Sequence, residues 1–482
     1  MMGVKNGGAR KRVPAAWGRF TWPVLLTTVL LCLGAVVVVG MFPNLLSFPK
    51  PPPSIPSWQQ VPDRLSGASS VLPLDPSAPI PVASEVVKLL DATLKPDGAG
   101  NISGVVLDAA TGQVLFDREA NANRIPASNM KLLTAVAALK ALGPDSRFTT
   151  RVLASDSPST VVLTGGGDVL LGASVSEPTA VLGRAGLASL AGDTAAALAS
   201  AGIKGPITVQ VDDSLFKGAP LNPAWSLDDV AAGETAPLFS LALNSGRYAP
   251  DVLSGARPQD SALTTAQAFA EQLAAAGVSV SPGVERGKGL PAKELAAAES
   301  ATVSEQVDLM LESSDNFLAE ALGRMTALAS GLEGTYDGAT AAVRQRLGEL
   351  GIATDSMQLA DVSGLALENQ VTARQFAEVV RAITSGPELA LRTALDGFPV
   401  AGLTGTLNDR YGDAGTSEGA GLVRAKTGTL NTVIALSGYV VDADGRLLVF
   451  SFIGNGLDPG AAGNKVAMDR SASVLATCGC RG

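Results

Sequence analysis

The chain is predicted to have an α+β (α/β) architecture, with an inserted domain and an N-terminal transmembrane helix. Three observations predict it. Alternating apolar segments at 102–107 and 113–116 flank Asp108-Ala109-Ala110-Thr111-Gly112, and two more at 433–441 and 446–453 flank Asp442-Ala443-Asp444-Gly445, so hairpins stand near both ends of the folded part. Between them lie helical runs punctuated by glycine and proline. Ahead of everything, residues 22–42 are almost wholly apolar, about the length that crosses a hydrocarbon core of roughly 30 Å.

Taken in order, residues 1–21 form a basic tail with Lys5, Arg10, Lys11, Arg12 and Arg19 and no acid. Basic residues before an apolar span place the N-terminus in the cytoplasm and the rest of the chain outside. Residues 22–42 are read as an uncleaved signal-anchor, in competition with a cleaved signal peptide. Gly40-Met41-Phe42-Pro43 is a poor small-x-small cleavage site. Residues 43–83, rich in proline and serine around Pro51-Pro52-Pro53, read as an extended stalk. A short helix at 86–94 and the first hairpin open the folded part, and a helix at 132–142 ends at Gly143-Pro144. Strands at 148–154, 160–164 and 207–211, with helices at 181–201 and 265–276, set residues 145–295 apart as an insert expected to add nothing to the site. Helices at 303–312, 317–328, 339–350 and 372–384 come next. Strands at 422–425, 433–441 and 446–453 and a helix at 465–475 close the catalytic part, 84–144 with 296–482.

The chain has 482 residues, a net charge of −9 and no histidine. The acidic balance argues against nucleic-acid binding. The missing histidine excludes every Ser-His-Asp or Cys-His mechanism. Three cysteines are too few for a disulfide framework. Cys32 lies in the apolar run, while Cys478 and Cys480 are either a tight local bridge or two free thiols. No metal-ligand set accompanies them, and neither metal nor cofactor is expected. The Gly165-Gly166-Gly167 run lacks the Gly-Lys-Ser/Thr of a phosphate cradle and reads as a backbone turn.

Without histidine, a serine nucleophile needs another base, and lysine can serve. Ser-x-x-Lys occurs at Ser47–Lys50, Ser128–Lys131 and Ser214–Lys217. Lys50 runs into prolines and Lys217 into Gly218-Ala219-Pro220, so only Ser128 and Lys131 stand where a long helix comes next. Residues i and i+3 share a helix face, which lets the pair touch. Ser314-x-Asn316 and Lys426-Thr427-Gly428 come later in that order, each once in the chain. The alternative for Ser314 and Asn316 is capping of the next helix.

Together the three elements resemble the penicillin-binding serine acyl-transferases, whose signature is S-x-x-K, S-D-N and K-T-G. Gly165-Gly166-Gly167-Asp168, Asp212-Asp213-Ser214-Leu215-Phe216, Asp361-Val362-Ser363-Gly364-Leu365, Gly402-Leu403-Thr404-Gly405-Thr406-Leu407 and Ala425 to Leu430 extend the likeness to the class C penicillin-binding proteins, D-alanyl-D-alanine carboxypeptidases and endopeptidases. The long separation of Ser128 from Ser314 fits a class with a domain inserted there. Val169 and Ala366 depart from that pattern at positions usually held by proline and serine.

The resemblance implies a penicillin-binding/β-lactamase-like transpeptidase fold, an antiparallel sheet packed by helices, and residues in named roles. Ser128 is the nucleophile and Lys131 its base. Ser314 relays a proton, and Asn316 bonds the substrate peptide and Lys131. Lys426 supplies charge, and Thr427 and Thr429 hold a terminal carboxylate. Gly428 lets a ligand lie along the strand, and the N–H groups of Ser128 and Thr429 form the oxyanion hole. Peptidoglycan stem peptides are the expected substrate and β-lactams the expected inhibitors, with the catalytic domain on the extracytoplasmic side of the cell membrane. A transpeptidase or β-lactamase-like hydrolase, or an idle cell-wall scaffold of the same fold, are the alternatives.

Overall fold

The computed structural model describes residues 74–75, 77–252, 254–289 and 293–481. The expected membrane span at 22–42, the basic tail, most of the stalk and Cys32 lie outside these residues. Among the described residues no helix is long and apolar enough to cross a membrane.

A five-stranded sheet organises the catalytic part. Its strands are β1 (Ala99–Asp108), β2 (Val114–Arg118), β10 (Arg424–Leu430), β11 (Val433–Val441) and β12 (Leu447–Asp458), in the order β10-β11-β12-β1-β2. All neighbours are antiparallel. Strand β12 runs five residues past the expected end at 453 because its distal half pairs with β1 up to Ala99. The strands read as nearly unbroken apolar runs because both faces are covered. Val105, Leu107, Ala435, Val449 and Ile453 face one core. Val106, Ile434, Leu436, Leu448, Phe450 and Phe452 face the other, in the period-two alternation that the pleat imposes.

Helices α1 (Ala83–Thr93) and α10 (Ala461–Ala476) close the second face with Val86, Leu90, Met468 and Ala472. On the first face stand α2 (Met130–Leu142), α6 (Val303–Ser313), α7 (Asn316–Ala329), α8 (Tyr336–Glu349) and α9 (Ala373–Ser385). Helix α2 buries ten of its residues on all sides, so it runs through the core rather than over it. The hairpin turn is fixed by Asp108, which accepts from Thr111 N at 2.7 Å and from Arg446 Nη2 at 2.8 Å. A short bridge of β3 (Asn123–Arg124) with β9 (Val371–Thr372) ties the chain entering α2 to the start of α9.

A second five-stranded sheet, in the order β7-β6-β5-β4-β8, is made by β4 (Thr149–Ala154), β5 (Thr160–Thr164), β6 (Ile207–Asp212), β7 (Val280–Arg286) and β8 (Glu294–Glu299). Strands β5, β6 and β7 are parallel, whereas β4 is antiparallel to both of its neighbours. Helices α3 (Leu187–Ser200) and α5 (Ser261–Ala275) cover it with Leu190, Ala191, Phe269 and Leu273 over Val161, Leu163, Val209 and Val211. The short helix α4 (Leu227–Ala232) falls between these two in the chain. The last strand of this sheet extends past residue 295, since Ala296–Glu299 pair with β4. Residues 181–186, expected to be helical, are not, and Gly183 sits there at φ 82°. Cys478 and Cys480 are joined in a disulfide.

Candidate active site

Ser128 lies not in the helix but in a 3-10 turn, Ala127–Asn129, immediately before α2. Asn129 anchors that turn by donating from Nδ2 to Ser437 Oγ at 2.6 Å, and Ser437 in turn donates to Ser451 Oγ at 2.8 Å. Ala127 takes a left-handed φ of 48°, a cost borne beside the nucleophile. Three residues on, Lys131 is fully buried, and its Nζ stands 3.0 Å from Ser128 Oγ. The same Nζ donates to Asn316 Oδ1 at 2.6 Å and to the Ser363 carbonyl at 2.7 Å.

The second motif sits where α6 ends and α7 begins. Ser314 holds φ 59° and ψ 35° at the end of α6, which turns its hydroxyl toward the sheet. Asp315 is the cap of α7, accepting from Leu318 N. Capping therefore falls to Asp315, leaving Ser314 and Asn316 free to face the site. Asn316 bridges two parts of the molecule, since its Nδ2 donates to the Glu234 carbonyl at 3.0 Å.

The third motif lies on β10, at the edge of the first sheet. Lys426, fully buried, donates to Ser314 Oγ at 2.9 Å. Thr427 meets Thr406 hydroxyl to hydroxyl at 2.7 Å, and Thr429 is exposed. Gly428 was expected to make room for a ligand. Instead, a Cβ there would come within 2.9 Å of the Pro126 carbonyl oxygen and 3.0 Å of Ala127 Cβ. Its missing side chain admits the nucleophile turn itself, which brings Ser128 to the strand.

The loop after α8 completes the enclosure, and sequence reasoning gave it no role. Asp361 accepts from the N–H groups of Gly364, Leu365 and Ala366, from Ser363 Oγ, from Asn369 Nδ2 and from Trp225 Nε1. A Cβ on Gly364, at φ 89°, would overlap the Ala127 carbonyl, so only glycine lets this loop close on the nucleophile turn. Residues from the insert's number range also reach the site, contrary to expectation. Glu234 does so through its carbonyl, Trp225 bonds Asp361, and Arg247 pairs with Asp315 at 2.9 Å. They belong to loops between α3 and α5 that fold back from the second sheet.

Burial governs the charges. Desolvation pulls the Lys131 ammonium down to about 8, against the opposing pull of Asp361, Asp315, Glu320 and Glu234. Lys426 falls well below the usual lysine value, first by burial and then by the charge of Lys131. Burial or a neighbouring positive charge, with Lys426 as the candidate for that charge, was expected to deprotonate Lys131. Burial is the larger cause, and between the two lysines it is Lys131 that depresses Lys426.

A serine in contact with a buried lysine, a second serine bonded to a second lysine, and a sheet edge alongside make the arrangement of a serine acyl-transfer enzyme of the penicillin-binding kind. The chain belongs to the D-Ala-D-Ala carboxypeptidase 3 (S13) family, whose pattern matches residues 86–258 and 251–476. It is 36% identical over 472 residues to Carboxypeptidase DacB of Mycolicibacterium smegmatis, covering 97% of this chain and 99% of that one. It is 31% identical to a D-alanyl-D-alanine carboxypeptidase of an Actinomadura species, covering 82% and 85%. In fold it is similar to penicillin binding protein 4 of Haemophilus influenzae, with a TM-score of 0.65, 22% identity, and coverage of 80% of this chain and 97% of that one.

Proposed function

We propose that this protein is a serine-type carboxypeptidase that hydrolyses the bond between the two terminal D-alanines of peptidoglycan stem peptides, with endopeptidase cleavage of cross-links by the same route. The triple contact of Lys131 Nζ with Ser128, Asn316 and Ser363 is the observation that carries this reading. An ammonium group fills all three with N–H donors. The neutral amine has only two, and Asn316 Oδ1 and the Ser363 carbonyl are pure acceptors that take them. The lone pair is then left for the Ser128 hydroxyl, the geometry a general base requires.

Ser128 Oγ attacks the carbonyl carbon as its proton passes to Lys131, and the carbonyl oxygen gains the negative charge. That charge is met by the N–H groups of Ser128 and Thr429, each worth about 3 kcal/mol in comparable sites. Collapse breaks the C–N bond, and Ser314, bonded to Lys426, passes a proton to the leaving amine. Water then attacks the ester on Ser128, giving its proton to the Ser314–Lys426 pair, and collapse breaks the C–O bond as Lys131 returns its proton to Ser128 Oγ, which releases the shortened peptide and restores the site. The substrate's terminal carboxylate binds at Thr427, Thr429 and Lys426. An anion there favours a charged Lys426, and that charge in turn drives the proton from Lys131. Substrate binding thus primes its own base. β-Lactams acylate Ser128 in the same way.

The extracytoplasmic, membrane-anchored placement belongs to the same proposal. It is supported by the basic residues before the apolar stretch 22–42 and by the proline-rich segment after it. Covalent labelling by a fluorescent penicillin, lost in Ser128→Ala, with D-alanine release from a pentapeptide, is the test. An unlabelled wild-type protein would remove the acyl-enzyme from consideration. Recovery of intact protein in a soluble fraction would do the same for the anchor.

A further inference from the structure

Glu320 is a carboxyl group buried in the middle of the molecule, 1% exposed, and the acyl-transfer chemistry above does not use it. It lies on α7 one helical turn after Asn316, on the same face. Its Oε1 accepts from Val362 N at 3.0 Å and from Ser363 N at 2.8 Å. Its Oε2 is buried with no hydrogen-bond partner. The backbone held in this way leads directly into the Ser363 carbonyl, which lies in the next peptide group, has its Gly364 N–H held by Asp361 at 2.8 Å, and stands 2.7 Å from Lys131 Nζ.

We propose that Glu320 is a positioning residue for the catalytic base: by holding the Val362 and Ser363 N–H groups it sets the Ser363 carbonyl on Lys131 Nζ, and so aims the Lys131 lone pair at Ser128. Asn316 and Glu320 then fix the amine from the same helix, one directly and one through the loop. The two constraints suffice, because an amine with both N–H bonds committed has one direction left for its lone pair.

The surroundings fit a carboxyl group that acts by shape. Burial raises the Glu320 acid to about 8, with Asp361 raising it further and the hydrogen bonds from Val362 and Ser363, then Arg324, opposing. The groups that face Lys131 are Asp361 from the loop, Asp315 and Glu320 from α7, Glu234 from the returning insert segment and Lys426 from β10. Releasing the Ser363 carbonyl takes one acceptor from the ammonium form of Lys131, which lowers its affinity for the proton.

This inference rests on Lys131 being the base for Ser128, and the test separates the two. Acylation of the full chain by a fluorescent penicillin is followed as a rate against pH, below the melting temperature, for wild type, Lys131→Ala, Glu320→Gln, Glu320→Met and Glu320→Asp. Lys131→Ala at the wild-type rate would remove the underlying reading itself. With that variant inactive, Glu320→Gln, which keeps an acceptor for both N–H groups, retains the rate within about threefold. Glu320→Met lowers the plateau by about 100-fold, the scale of an ångström misplacement of a reacting group, and moves the acid limb to lower pH. Should Glu320→Met not fold, Glu320→Asp, which keeps the acid but withdraws it by one methylene, is expected to change in the same direction. A merely structural role moves the melting temperature and leaves plateau and limb unchanged. That outcome, or a Gln variant as slow as the Met or Asp variant, overturns the proposal.

Discussion

Lys426 Nζ donates to Ser314 Oγ across 2.9 Å, so the lysine of the edge strand and the serine between two helices are already joined. A relay built this way has a direction: a proton on Lys426 can reach the leaving amine only through the Ser314 hydroxyl. Ser314→Ala is therefore expected to slow acylation by a peptide, whose amine must leave protonated, by about 100-fold. A β-lactam, whose leaving group stays tethered, is expected to lose less. Comparing the two acylation rates in one variant checks this.

The pH dependence is set by Lys131. The base must be neutral to act, and its affinity for the proton is held by burial at about 8. Acylation is expected to fall about tenfold per unit below pH 7 and to level off above about pH 9. A rate–pH profile with a flat acid side from pH 5 to 8 would contradict the assignment.

Asp315 carries stability rather than chemistry. Burial alone would raise it, but Arg247 and Arg257, with the Leu318 N–H and the Ser245 hydroxyl, hold its carboxyl below the usual range. A depressed carboxylate stabilises the fold above its unfolded value, and that stabilisation is lost as pH falls through the folded one. Asp315→Ala removes a helix cap and strands Arg247, at a cost of about 3–5 kcal/mol. Urea unfolding at pH 7 and at pH 3.5 should show the difference between the two proteins shrinking in acid.

Gly364→Ala tests the closeness of loop and nucleophile turn. The added methyl overlaps the Ala127 carbonyl, and the residue must hold φ 89°. A loss of about 2 kcal/mol in stability is expected, with a larger fractional loss in acylation, because the loop that yields is the one bonded to Lys131. Unchanged acylation in a destabilised variant would show that the loop can shift without moving the base.

Much of this site could be read from spacing. Ser128 and Lys131 are one turn apart, the Ser314 and Asn316 pair lies at a helix junction, and Lys426 lies in a strand. Side chains that act through backbone could not be read so easily. Ser363 contributes a carbonyl and Glu234 another, and any residue type has one. Asp361 gathers five N–H or O–H groups from residues 363–369, a fold-back that no periodicity announces. Glu320 had a signal: it stands four residues after Asn316 and four before Arg324, a row of polar side chains on one buried helix face, where an acid needs a reason. The second sheet takes most of its strands from the range 145–295, but loops from that range return to the site, which strand and helix patterns do not reveal.

The backbone at Ser314 has one more consequence. A left-handed serine costs on the order of 1 kcal/mol, which glycine would not. Substituting glycine therefore removes strain and the proton relay in a single step. The relief is offset, because glycine also takes a partner from the buried Lys426 ammonium, at about 1–3 kcal/mol, so the strained serine is held in place by the lysine that uses it.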